Sequence, residues 1–303
     1  MKSPLKSSMR RSTELIVRCA KQFAGLAIIL FLAAISPEKA NAHGDLEIRI
    51  EEVTRKIETA TNKFASLYLE RGELHREHQS WTEAEADYAR AAKLDLKLEA
   101  VDFCHAKMLD DSGQLESARA MFDKVLNGSP NNGEAFIGRA RVLVKLNQPK
   151  PAVADFRHAL ELLREPKPEH FLELAKVLTS ENSTNDALRS LDAGIKKFGP
   201  EVTLQLYALE LDLGRKNTDA ALARLDTIIE RAARKESWLA RRGDILLAVN
   251  RPTEAQKSFE SALAAIKLLP SVLQKAPPMQ NLQSRIHAAL GKIAAPSVSQ
   301  NLK

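Results

Sequence analysis

An alanine recurs along the chain with an almost constant period, and this repeat constrains the fold more than any other feature. Successive members lie 34, 34, 35, 34 and 34 residues apart, in the series Ala84, Ala118, Ala152, Ala187, Ala221 and Ala255. Four residues after each alanine stands a large apolar residue, in the series Tyr88, Phe122, Phe156, Leu191, Leu225 and Phe259. Residues four apart share one face of an α-helix, and a period of about 34 residues is typical of stacked helical hairpins.

A second series of small residues precedes the alanines by 12 positions, at Gly72, Ala106, Ala140, Ala175 and Gly243. Ala208 precedes Ala221 by 13 positions, which predicts a one-residue insertion in the fifth repeat. Two helices approach closely only where side chains are small, so each small residue predicts the crossing point of one hairpin. Turn-forming residues predict the bends between paired helices, at Gly113, Asn147, Asn182, Gly214 and Asn250.

With these residues the chain resembles the tetratricopeptide repeat family, whose unit is two antiparallel helices. The first repeat is the clearest, with Tyr68, Gly72, Trp81, Ala84 and Tyr88 in the family's positions. The resemblance implies an all-α fold, a right-handed α-solenoid of six repeats at 65–98, 99–132, 133–167, 168–201, 202–235 and 236–269. Every matching residue is a packing residue, so the resemblance is informative about the fold rather than about chemistry.

Both ends of the repeat array are predicted to be covered by capping helices. Residues 43–64 form the first, with Asp45 at its N-cap and an apolar stripe that includes Leu46 and Val53. Residues 270–294 form a linker and a C-terminal helix that begins at Pro277 and Pro278. Residues 295–303 contain too little apolar surface to pack and are expected to be disordered.

The first 42 residues have the pattern of a secretory signal peptide. A basic segment precedes an apolar run from Phe23 to Ile35, and Ala40, Asn41 and Ala42 supply the small residues that a signal peptidase requires. This pattern predicts cleavage before His43 and a periplasmic or secreted protein. The apolar run is short for a bilayer span, and an uncleaved inner-membrane anchor is the alternative.

Removal of this segment changes the charge of the chain. Residues 1–42 contain seven basic and two acidic residues, a net charge of +5, so only +1 of the chain's +6 remains after cleavage. The basic character therefore does not predict nucleic-acid binding, and nothing after cleavage predicts a membrane contact. Cys104 is the single cysteine after residue 42, which excludes an intramolecular disulfide in the mature protein.

No catalytic motif is recognisable, and the chain is interpreted as a non-enzyme that needs no cofactor. It lacks a glycine-rich phosphate loop, a His-Glu-x-x-His motif and a Gly-x-Ser-x-Gly motif. His75 and His78 are three residues apart, His105 lies one repeat further on, and His43 would become the mature N-terminus. A metal site on these residues is conceivable, but histidines at framework positions more often pack, and no metal is predicted.

A candidate partner-binding surface follows from the first helices of the repeats, because their equivalent positions are neighbours in the stack. Residues three before each crossing point form an apolar track: Leu69, Phe103, Ile137 and Leu172. Residues one after it form a basic ladder: Lys107, Arg141 and Lys176. In the last two repeats the same counts give Gln205, Ala240, Leu209 and Asp244. A groove of this kind suits an acidic and partly apolar segment, although the cations could instead pair with Asp110 or Glu173.

The sequence thus favours an exported scaffold that binds another protein or peptide in the bacterial cell envelope, within its concave groove. One alternative is an accessory subunit that positions an envelope enzyme, for instance a metal-dependent hydrolase. Another is a glycan-binding module for cell-wall or exported polysaccharide. The few aromatic residues, most of which are assigned to packing, argue against the glycan.

Overall fold

The computed structural model describes the backbone of residues 37–62, 64–95 and 99–294, and side chains from Gly44 onward. All the secondary structure in these ranges is helical. Contacts divide the chain into two compact units, one ending at Gly128 and the other beginning at Ser129. The signal peptide predicted for residues 1–42 lies largely outside the described residues, as does the predicted tail at 295–303.

The first unit contains five helices. They are α1 (Pro37–Thr59), α2 (Ala65–Glu77), α3 (Trp81–Leu94), α4 (Glu99–Asp111) and α5 (Leu115–Gly128). Helices α2 and α3 form one antiparallel hairpin, and α4 and α5 form the next. Helix α3 packs on α4, α2 also touches α4, and α1 packs on α2.

The second unit contains ten helices. They are α6 (Gly133–Lys145), α7 (Pro149–Leu162), α8 (Pro168–Ser180), α9 (Thr184–Phe198), α10 (Val202–Gly214), α11 (Thr218–Arg231), α12 (Glu236–Ala248), α13 (Pro252–Lys267), α14 (Ser271–Gln274) and α15 (Pro277–Ala294). Consecutive helices from α6 to α13 pair into four hairpins, and the second helix of each packs on the first helix of the next. The predicted all-α hairpin repeat is therefore confirmed.

The repeated small and aromatic residues form the core. The alanines and aromatic residues of the framework are at most 1% exposed, at Ala84, Tyr88, Ala106, Ala118, Phe122, Ala140, Ala152, Phe156, Ala175, Ala187, Ala221, Ala255 and Phe259. A Cβ atom on Gly72 would lie 2.7 Å from Cε1 of Tyr88, so only glycine fits at that crossing point. The periodic residues therefore mark close helix contacts, as the sequence predicts.

The turns within the hairpins share one backbone conformation. The second residue of each three-residue turn has a positive φ, at Gln79, Gly113, Asn147, Asn182, Lys216 and Asn250. Each of these residues lies 14 positions after the first residue of its first helix, which is Ala65 in the first hairpin and Glu236 in the last. The turn of the fifth hairpin is therefore centred on Lys216, and the predicted turn residue Gly214 ends helix α10 instead.

This turn position corrects the register of the fifth hairpin. Helix α10 has 13 residues and is followed by a three-residue turn, as in the other hairpins, so the predicted insertion is absent. The eighth residue of each first helix is the crossing residue, for example Gly72 in α2, and in α10 this residue is Leu209 rather than Ala208. Both side chains are fully buried. The sequence rule failed because it assumed a small residue at every crossing point.

Buried ion pairs within hairpins were not predicted from the sequence. Arg71 donates two hydrogen bonds of 2.7 Å to Asp87, and Arg139 donates two of 2.7 Å to Asp155, 16 residues away in both cases. Both aspartates are buried. An arginine directly before the crossing residue, with an aspartate 16 residues later and directly before the aromatic residue, is the signal that could have revealed these pairs.

The capping helices differ from expectation at one end. Helix α1 begins at Pro37, a residue type suited to the first turn of a helix, so Asp45 lies inside the helix rather than at its N-cap. Its Val53 side chain is buried, and Leu46, Ile50 and Ile57 are half-buried. At the other end, α15 begins at Pro277 and buries Met279 and Ile286 against the core of the last hairpin.

Candidate partner-binding surface

The first helices of neighbouring hairpins are linked by ion pairs within each unit. Lys107 of α4 pairs with Glu73 of α2, Arg141 of α6 with Glu173 of α8, and Arg241 of α12 with Glu210 of α10. These contacts place the first helices side by side. We call the surface that the first helices share within each unit the first-helix face of that unit, and these faces contain the residues predicted to bind a partner.

In the first unit, Glu73 is the centre of a polar cluster. Its carboxylate accepts hydrogen bonds from Lys107 Nζ at 2.8 Å, Tyr88 Oη at 2.7 Å and Arg76 Nε at 3.1 Å. Burial acts to raise the pKa of Glu73, but these donors outweigh it and lower the pKa to about 2. Lys107 is therefore neutralised within the protein, and its ammonium also lies 5.8 Å from the centre of the Phe103 ring.

Cys104 lies beside this cluster. Burial raises the pKa of its thiol to about 12, and the nearby Glu73 carboxylate acts in the same direction. The nucleophilic form of cysteine is the thiolate, and the raised pKa disfavours this form near neutral pH.

In the second unit, the two predicted cations differ. Arg141 donates hydrogen bonds of 2.9 and 3.0 Å to the two carboxylate oxygens of Glu173, which is the pairing that the sequence left open. Lys176 is exposed, and no carboxylate of the described residues lies within ion-pair distance of it. Of these two residues, only Lys176 presents an uncompensated charge.

The corrected register explains why Lys176 is unpaired. At two steps of the second unit, the residue after a crossing point pairs with the residue two before the crossing point of the next hairpin: Arg141 pairs with Glu173, and Glu210 pairs with Arg241. For Lys176 the corresponding residue in α10 is Tyr207, which has no carboxylate. Within the described part of the second unit, α6 is linked to α8 and α10 to α12 by such an ion pair, and α8 has no equivalent pair with α10.

The apolar track is partly accessible. Leu69 and Phe103 in the first unit and Leu172 in the second are half-buried, whereas Ile137 is only 1% exposed and belongs to the core. Ile137 therefore offers no accessible surface. In the corrected register the fifth hairpin contributes half-buried Leu206 and exposed Glu210, not the buried Gln205 and Leu209 that the sequence count selected.

The histidines whose side chains are described were predicted to pack rather than to bind a metal. Among the residues described, no group of three potential ligands is close enough to hold a metal ion. His75 Nε2 is 3.9 Å from Asp87, and the ring of His105 lies 5.9 Å from that of Tyr88. Burial lowers the pKa of both histidines. The side chain of His43 lies outside those the structure describes.

The sequence matches no protein-family model and no curated protein. Solved structures do share its fold. The C-terminal part of a TPR repeat-containing protein from Cytophaga hutchinsonii has a TM-score of 0.59 at 15% identity, over 76% of this chain and 94% of that one. PilF of Pseudomonas aeruginosa has a TM-score of 0.50 at 12% identity, over 74% and 96%. At such identities the likeness shows the fold alone, which is that of tetratricopeptide repeat proteins.

None of the helices in the described ranges is both long and apolar enough to cross a bilayer.

Proposed function

We propose that this protein is an exported scaffold that binds a segment of another protein along its first-helix face. The proposal rests on the exposure of Lys176, which has no carboxylate partner among the described residues. At the equivalent positions of α6 and α10, Arg141 and Glu210 each form an ion pair. The tetratricopeptide fold supports protein or peptide binding in general. It provides a rigid surface and no catalytic group.

The surroundings of Lys176 favour a particular kind of segment. Leu172, one turn earlier on α8, and Leu206 on α10 are half-buried and leave part of their apolar surface accessible. A partner segment with an acidic side chain and a nearby apolar residue would neutralise the ammonium and cover these leucines. Arg141 is a weaker anchor, because a partner must compete with Glu173 for its guanidinium.

Reversing the charge of Lys176 tests the proposal. Partners are first recovered by affinity capture with the mature chain from an envelope extract and identified by mass spectrometry. Lys176→Glu should weaken a captured partner about tenfold or more, since a charge-assisted contact contributes about 1.5 to 3 kcal/mol. Lys196→Glu, at an exposed lysine of the second helix α9, is the matched control. Equal affinities of both variants would place the binding site elsewhere, and recovery of glycan alone would refute a protein partner.

Export is proposed from the sequence pattern of residues 1–42. Cleavage after Ala42 would remove the first six residues of α1 and leave Val53 and the rest of its buried stripe in place. N-terminal sequencing of the protein from cell fractions should give His-Gly-Asp-Leu. A membrane-bound product that still begins at Met1 would identify the segment as an anchor.

A further inference from the structure

A cleft of about 290 Å³ opens in the second unit, on the side of the second helices. Its floor is formed by Phe171, Leu174 and Leu178 of α8, and its rim by Arg157 of α7 and by residues of α9. Its volume is near the lower limit of about 300 Å³ for ligand pockets, so it suits one inserted side chain. It is separate from Lys176, which lies on the first-helix face.

The later hairpins show what normally fills this position. Between α11 and α13, Arg242 lies in the equivalent space and donates hydrogen bonds to Asp226 of α11 at 2.7 Å and Ser258 of α13 at 2.9 Å. Between α9 and α11, Arg224 similarly binds Asp192 at 2.9 Å and Asp212 at 2.7 Å. In both places an internal arginine occupies part of the gap, and an aspartate on the preceding second helix binds its guanidinium. The cleft that remains beside Arg242 is smaller, about 190 Å³.

The fourth hairpin lacks this filling side chain. Leu174 stands where the last hairpin has Arg242, and Ser190 stands where it has Ser258. The residue equivalent to Asp226 is Arg157, so the charge at the rim is reversed. The space is thus open and apolar at its floor, and its edge carries Arg157 and Arg189 together with the carboxylates of Asp186 and Glu161.

Both arginines at this rim are hydrogen-bonded to the same carboxylate. Asp186 accepts hydrogen bonds from both Arg157, at 2.9 Å, and Arg189. Glu161, also at the rim, lies 3.7 Å from His158 and is largely exposed. Two guanidinium groups therefore share one carboxylate, with side chains that are 53% and 73% exposed.

We propose that this cleft is a second interaction site, which receives a glutamate side chain from a segment of a partner protein. The methylene groups of the glutamate would cover Leu174 and Leu178, and its carboxylate would meet Arg157 and Arg189. Arginine is well suited to this role, because its planar guanidinium binds carboxylates in a bidentate manner. The inserted glutamate reproduces, with both charges reversed, the internal arginine and aspartate of the later hairpins.

A short peptide probe tests the site directly. The acetylated, amidated tripeptide Leu-Glu-Leu is titrated into the purified protein, and the leucine methyl signals are followed by NMR. We expect saturable shifts of the Leu174 and Leu178 methyls, about tenfold weaker binding of Leu-Gln-Leu, and no shift with Leu-Lys-Leu. Equal responses to the three peptides, or unmoved cleft methyls, would overturn the proposal.

Three variants make the test independent of the first-helix face. Arg157→Gln should weaken Leu-Glu-Leu about tenfold at an exposed position that does not support the core. Leu174→Arg should weaken binding strongly, because a longer side chain at the position of Arg242 would narrow the cleft. Lys176→Glu should leave the peptide affinity unchanged. Shifts that centre on Leu172 and Leu206 and vanish in Lys176→Glu would assign the peptide to the first-helix face and contradict the cleft.

Discussion

Phe259 covers Gly243 so closely that a Cβ atom on the glycine would lie 2.6 Å from Cε1 of the phenylalanine ring. Gly243→Ala should therefore destabilise the last hairpin by about 1 to 3 kcal/mol, because overpacking a close contact forces the ring or the backbone to move. Gly291→Ala is the control, since no atom lies within 4 Å of its added methyl group. That variant should stabilise α15 by about 0.5 to 1 kcal/mol. Urea unfolding of both variants measures the difference, and equal effects would contradict the close crossing.

The corrected register of the fifth hairpin makes Leu209 a crossing residue. Leu209→Ala should cost about 2 to 5 kcal/mol, because the residue is fully buried and its removal leaves a cavity. Leu268→Ala provides a comparison, because Leu268 is 86% exposed and its truncation should change stability by less than about 0.5 kcal/mol. A small effect at Leu209 in thermal or urea unfolding would restore the register read from the sequence.

The pair of Arg139 and Asp155 can be exchanged for one that the protein already contains. Asp155→Ser alone should cost less than the roughly 3 to 5 kcal/mol of a fully buried pair, because Arg139 is partly exposed, but it removes the carboxylate that accepts two hydrogen bonds from the guanidinium. Adding Arg139→Leu, which copies Leu174 and Ser190 of the next hairpin, should recover part of this loss. A double-mutant cycle by urea unfolding measures the coupling, and strictly additive effects would show that the two side chains do not stabilise each other.

His105 should make the first unit sensitive to acid. Burial lowers its folded-state pKa, so below about pH 6.5 the unfolded chain binds more protons than the folded one. Stability is therefore lost as the pH falls through this window. His105→Phe keeps an aromatic ring beside Tyr88 and removes the buried Nε2, which has no hydrogen-bond partner in the described structure. Its thermal midpoint should fall less between about pH 7 and pH 5 than that of the wild type. Parallel curves would exclude His105 as a source of the acid sensitivity.

Acid sensitivity from Glu73 is expected in a different range. Its pKa of about 2 is below the unfolded value of about 4.3, so its stabilising contribution is present above that unfolded value and is lost as the pH falls toward 2. The effect of His105 can therefore be measured before Glu73 begins to take up protons.

The hairpin fold could be predicted because its determinants are periodic. The repeat pattern predicts a close contact at Gly72 and a large side chain at Tyr88, and in the structure the Tyr88 ring packs against Gly72. The register of the fifth hairpin could not be predicted from side-chain size alone, since Leu209 occupies a position where the other repeats have glycine or alanine. The register follows from the backbone, because the positive φ that marks the turn in each hairpin lies at Lys216 in the fifth. Positive φ is uncommon for residues other than glycine, so the type of this residue did not indicate a turn.

The candidate surface was predictable in outline but not in its charges. Counting from the crossing residues predicted that Lys107, Arg141 and Lys176 contribute equally to a basic ladder. Lys107 and Arg141 are in fact paired with carboxylates on a neighbouring first helix. Counting positions along one helix cannot show which side chains of the next helix lie within reach. The cleft at Leu174 was not foreseen, since it results from the absence of a side chain that other hairpins have.

The hairpins differ in where they allow the chain to change length. All six first helices have 13 residues and all six turns have three, whereas the connections 129–132, 163–167, 199–201 and 232–235 in the second unit vary from three to five residues. The extra residue of the 35-residue spacing lies in such a connection, at 163–167. An epitope or protease site inserted between the exposed residues Arg164 and Glu165 should therefore leave the packing intact, while the same insertion at Asn182 would shift α9 out of register with α8. The joints between hairpins are thus the permissive sites for tagging this protein.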